Sequence, residues 1–129
     1  RWQDLPSLAR NIHDDARGGP LALLDPDETT IAMLDHRLRT QFVELDTQSD
    51  TPANVVSAWL RSQGQDAHVL VKLPGRTPGD VKRLLDRIHP TPAPDDGVAA
   101  ALVSSGVATV ERKYELAEGR RYALLGVVK

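Results

Sequence analysis

The stretch Pro20-Leu21-Ala22-Leu23-Leu24-Asp25-Pro26-Asp27-Glu28-Thr29-Thr30 decides the fold class. Its apolar half (PLALL) is too short for a helix and shows no polar alternation, which fits a strand covered on both faces. The Asp-Pro-Asp that follows stops the strand. Ile31, Leu34 and Leu38 then recur at helical spacing, with Asp27 as the natural N-cap and Glu28 in the first turn. A buried strand handing over to a helix is the unit of a parallel α/β sheet.

The same pattern extends in both directions. Upstream, Leu5, Leu8, Ala9 and Ile12 predict a helix that starts at Asp4 and Pro6 and stops at Gly18-Gly19. Downstream, residues 42–45 (FVEL) predict a second strand. Thr51-Pro52 opens a helix carrying Val55, Val56, Trp59 and Leu60, which Gly64 closes. Residues 68–73 (HVLVKL) predict a third strand, and Thr77-Pro78 a helix with Val81, Leu84, Leu85 and Ile88 as its stripe. Pro90 ends that helix, and residues 89–94 (HPTPAP) are stiff and extended. Val98, Ala101 and Leu102 indicate a short helix up to Gly106. Residues 108–116 then alternate cleanly, with Val110, Tyr114 and Leu116 on one face and Arg112 interrupting it. Glu118-Gly119 makes a turn, and residues 122–128 return as the second arm of a hairpin. Right-handed crossovers make this an α/β domain: a three-layer Rossmann-like sandwich, whose parallel three-stranded core is extended by a C-terminal antiparallel hairpin.

All 129 residues suit one domain. The 16 basic residues nearly balance 18 acidic ones, which argues against a polybasic arm and a nucleic-acid partner. The chain has no cysteine, which excludes disulfides and thiolate chemistry. No apolar run approaches the roughly 20 residues that span a bilayer. The chain begins at Arg1 without a signal peptide, so the expectation is an excised piece of a longer protein.

The acidic turn after the first strand is the main candidate site, because open α/β sheets bind ligands beyond the carboxyl ends of their strands. Asp25, Asp27, Thr29 and Thr30 are its candidate ligand-binding residues. Arg76, in the turn after the third strand, is a further candidate for holding an anion on backbone N–H groups. Asp25-x-Asp27-x-Thr29 resembles the first motif of haloacid-dehalogenase-type phosphatases. That likeness implies Asp25 as nucleophile, Asp27 as general acid/base, Thr47 as phosphate-binding hydroxyl, Lys72 or Lys82 as charge-neutralising lysine, and bound Mg²⁺. The family's further acidic pair departs from pattern, since Asp95-Asp96 follow Pro92-Ala93-Pro94 in a linker. Capping explains Asp27 and Glu28 without catalysis. A receiver-like regulatory or ligand-binding module at Asp25, Asp27 and Lys72 is another reading. His13, His36, His68 and His89 lack metal-ligand spacing, and Arg120-Arg121 reads as a solvated hairpin tip.

A second resemblance covers more of the chain. Residues 20–34 (PLALLDPDETTIAML), Leu73-Pro74-Gly75 and the closing residues 119–125 (GRRYALL) are similar to the soluble C-terminal domain of bacterial membrane glycosyltransferases of the protein-mannosyltransferase and aminoarabinose-transferase superfamily. The resemblance implies a periplasmic domain at the inner membrane, partnered by the transmembrane portion of its own polypeptide and by a lipid-linked donor or acceptor. Catalytic acidic residues belong to the membrane portion of that family, so no catalytic residue, metal or cofactor carries over to this chain.

Overall fold

The computed structural model describes residues 4–38, 41–75, 97–116 and 119–128. Within them the order is α1 (Leu5–Ala16), β1 (Leu21–Leu24), α2 (Glu28–Leu38), β2 (Val43–Leu45), α3 (Pro52–Gln63), β3 (His68–Leu73), α4 (Val98–Ser104), β4 (Ala108–Glu115) and β5 (Arg121–Val127). The helix expected over residues 77–88, the proline-rich stretch after it and Asp95-Asp96 lie outside the described residues, as do Arg76, Lys82 and His89.

The helices begin where their side chains can satisfy free N–H groups. Asp4 Oδ1 accepts from the Ser7 amide at 2.8 Å, and Thr51 Oγ1 accepts from the Asn54 amide at 3.2 Å. Helix α1 ends on Arg17, a non-glycine residue in the left-handed region (φ 54°) that donates its N–H to Asp14. Gly64 closes α3. At Gly19 the backbone approaches another segment so closely that a Cβ would collide with the Asp66 carbonyl. Glycine is therefore required where the link into β1 passes the link into β3.

The strands form one five-stranded sheet in the order β2-β1-β3-β5-β4. Strand β1 pairs in parallel with β2 and β3, while β5 runs antiparallel to both β3 and β4. The parallel core with an antiparallel hairpin is thus as the sequence suggests. All four residues of β1 are buried, as expected of an apolar run without alternation. Leu21 and Leu23 join α1 and α2 in one cluster, with Leu8, Ile12 and Leu34 at its centre. Ala22 and Leu24 face the opposite cluster, built on Val56 and Leu60 of α3 and Leu102 of α4. Burying each such leucine contributes roughly 1.5–3 kcal/mol before entropy is counted.

Strand β4 departs from the expected alternation. Its pairing with β5 shifts between Val110 and Arg112, so Glu111 is the extra residue of a β-bulge. A one-residue shift reverses the faces. Val110 accordingly packs with the α3 and α4 cluster, whereas Tyr114 and Leu116 pack with α1 and α2. These three residues do not share one face, and Arg112 interrupts nothing. After the bulge it shares a side with Tyr114, and both reach Asp15 of α1: Tyr114 donates to Asp15 Oδ2 at 2.7 Å, and Arg112 Nε lies 3.8 Å from Oδ1. Burial foremost, then the Asp15 carboxylate, raises the Tyr114 phenol above its usual range and keeps it a donor. Arg121 also departs from the solvated tip expected of it. It is buried and donates to Glu115 Oε1 at 2.9 Å.

The bulge directs Glu111 across Gly126 to the buried His68, where Glu111 Oε2 lies 2.6 Å from Nε2. His68 Nδ1 is buried without a hydrogen-bond partner, so the contact with Glu111 supplies the ring's polar satisfaction. A Cβ at position 126 would stand 2.5 Å from Glu111 Oε1. Gly126→Ala is therefore expected to displace Glu111 and destabilise the fold by about 1–3 kcal/mol. The same substitution in a Glu111→Ala background is expected to cost little, because the space is then free. Urea unfolding of the four proteins of this cycle checks the coupling; equal costs in both backgrounds would refute the displacement.

Candidate functional site

Strands β1, β2 and β3 are parallel, so their C-terminal ends share one edge of the sheet, and the antiparallel β5 begins there. This brings the turn after β1 together with Thr47, Lys72 and Tyr122. Asp25 leaves the strand with a left-handed backbone (φ 45°), a conformation aspartate tolerates better than most residues. Its amide donates to Leu45 O at 2.8 Å. Its carboxylate spans to the β2 exit, accepting from the Thr47 amide at 3.0 Å and from the Thr47 hydroxyl at 2.7 Å. Asp25 therefore ties the two strand ends together.

Asp27 caps α2. Its Oδ1 accepts from both the backbone amide and the hydroxyl of Thr30, at 2.8 and 2.7 Å. Thr30 Oγ1 has then spent its proton, so the Tyr122 hydroxyl 2.9 Å away is the donor between them. A chain of donors thus runs from Tyr122 through Thr30 to Asp27. Lys72 Nζ completes the cluster at 3.1 Å from Asp27 Oδ2. Partial burial works against the Asp27 charge, but the Thr30 hydrogen bonds and Lys72 outweigh it and bring the carboxyl down to about 2.

Of the other candidates, Thr29 is exposed on the first turn of α2, Thr30 is buried, and Arg76 lies outside the described residues. Among Leu24, Asp25, Asp27, Lys72 and Tyr122 lies a small, partly open cleft of about 10 Å³. A general acid works best with a pKa near the operating pH, and Asp27 at about 2 is ionised throughout the neutral range. Among the described residues no group of three or more metal-ligating side chains is assembled, and Asp95-Asp96 lie outside them. Geometrically the cluster joins α2, β2, β3 and β5.

Of the residues the sequence singles out, the structure brings Asp25, Asp27, Thr47 and Lys72 to one edge, while Lys82 lies outside the described residues. Sequence reasoning missed Tyr122, which lies 92 residues from Thr30, and the His68–Glu111 pair at the opposite edge. The isolated glycine at 126 inside an apolar strand was the local signal for close approach there. Comparison with family models, curated proteins and solved structures finds no match to this chain.

The depressed Asp27 pKa fixes the direction of a pH effect. A carboxyl near 2 in the fold and 3.8 by itself contributes stability that is complete above about pH 4 and is lost as pH falls through 2. Asp27→Ala is expected to cost about 1 kcal/mol at pH 7, a typical N-cap loss. The gap to the unsubstituted chain is expected to narrow between pH 4 and 2. Thermal unfolding at a series of pH values measures it, and a gap that widens on acidification would contradict the assignment.

Proposed function

We propose that this chain is a non-catalytic periplasmic domain of a bacterial inner-membrane glycosyltransferase, accessory to a membrane portion that uses a lipid-linked sugar donor. The observation that carries the non-catalytic part is the engagement of both carboxylates of the acidic turn. Asp25 is held by Thr47 and Asp27 by Thr30 and Lys72. The likeness of residues 20–34 and 119–125 to the glycosyltransferase C-terminal domain supplies the rest. Its partners are then the transmembrane portion of the same polypeptide and the lipid-linked donor or acceptor. No described helix is long and apolar enough to cross a membrane.

One observation favours a second reading. Thr47 and Lys72 do meet the two aspartates at one edge, the arrangement that a small phosphatase or a receiver-like module would use. The two readings separate in one pair of experiments. An antibody raised against the chain is expected to detect, in the source bacterium, a polypeptide that sediments with the inner membrane and is cut by protease added to spheroplasts. Recovery in the soluble cytoplasmic fraction would overturn the membrane reading. The purified chain with Mg²⁺ is expected to release no phosphate from p-nitrophenyl phosphate. Turnover that disappears in Asp25→Asn would establish the phosphatase instead.

A further inference from the structure

At the edge opposite the acidic turn, a groove of about 830 Å³ opens beside the start of β1 and β2. Its walls come from both sides of the sheet. Phe42 packs against the α1 and α2 cluster, and Trp59 against the α3 and α4 cluster. Both are half-buried and line the groove. Between and around them stand Gln41, Gln63 and Asp35, all exposed. Trp59 and Gln63 are one helical turn apart on α3, which places the indole and the amide on one face.

The chemistry of these groups selects a ligand class. Half-buried aromatic rings offer apolar faces, which favour a ligand with an apolar face of its own. A primary amide both donates and accepts, so Gln41 and Gln63 match hydroxyl groups, which also do both. The Gln63 amide nitrogen already donates to Ser62 Oγ at 2.9 Å, and its remaining N–H and its carbonyl are the groups left for a ligand. Asp35 accepts further hydroxyl hydrogens. The size lies within the range of small-molecule sites. An open, mixed wall does not suit a wholly apolar ligand, which gains most from enclosure.

We infer that this groove binds a neutral sugar, stacked on Trp59 and Phe42 and hydrogen-bonded through its hydroxyls to Gln41, Gln63 and Asp35. The inference draws on these side chains alone and holds whichever polypeptide carries the domain.

The chain has two tryptophans, so a Trp2→Phe background leaves Trp59 as the single indole reporter. Titration with glucose, mannose, galactose, arabinose and N-acetylglucosamine is expected to shift and quench its emission, saturating in the millimolar range with at least one of them. Gln63→Ala and Gln41→Ala lie at exposed positions and leave the core untouched. Each is expected to weaken that sugar about five-fold, the equivalent of one net hydrogen bond. Trp59→Ala, followed by amide chemical shifts instead of fluorescence, is expected to abolish binding. The inference is overturned by no saturable response to any of these sugars. It is equally overturned by an unchanged affinity in both glutamine variants, or by a response confined to charged probes such as inorganic phosphate or lysine amide.

Discussion

The antiparallel ladder between β3 and β5 holds the two halves of this fold together. It runs from His68 opposite Gly126 to Leu73 opposite Arg121. On one side of it lies a parallel sheet made by crossover helices, on the other a hairpin that is local in sequence. Parallel strands are stable only when both faces are covered, and β5 gives β3 a fully buried neighbour on its second edge. Both ends of the ladder also carry polar contacts. At one end Tyr122 donates to Thr30 and Arg121 to Glu115; at the other, Gly126 makes room for Glu111 to reach His68. Misregister by one residue would reverse the faces of β5 and break all three.

Much of the fold was legible locally. The uniform apolar run of β1, the caps Asp4, Asp27 and Thr51 and the closing Gly64 each act within four residues, and each occurs where a local reading places it. The bulge was not legible, because Glu111 reads as an ordinary outward residue of an alternating strand. Its role depends on Gly126 and on His68, 43 residues away. The same holds for Tyr114 with Asp15, separated by 99 residues. A local pattern states which residues want burial, and only the assembled sheet states what a buried polar group will meet.

The candidate site divides along the same line. The acidic turn announced itself by residue type, since carboxylates after a buried strand are what catalytic sites and helix caps have in common. What separates the two is occupancy of lone pairs and free space, and neither is written in composition. Asp27, brought down to about 2 by its neighbours, illustrates the difference. A perturbed carboxyl often marks a functional site, yet structural networks perturb pKa values too. The groove at the other edge gave no motif at all, because Phe42 and Trp59 come from elements that meet only after folding.

Strand β2 is three residues long, forms one border of the sheet and places Glu44 at its middle. Sheet borders are templates on which a second chain can add, and nature blunts them by brevity and charge. Two molecules meeting border to border in antiparallel fashion about this strand would set one Glu44 against another. The like charges would repel across that pairing, so the border carries its own safeguard against fibrillar growth.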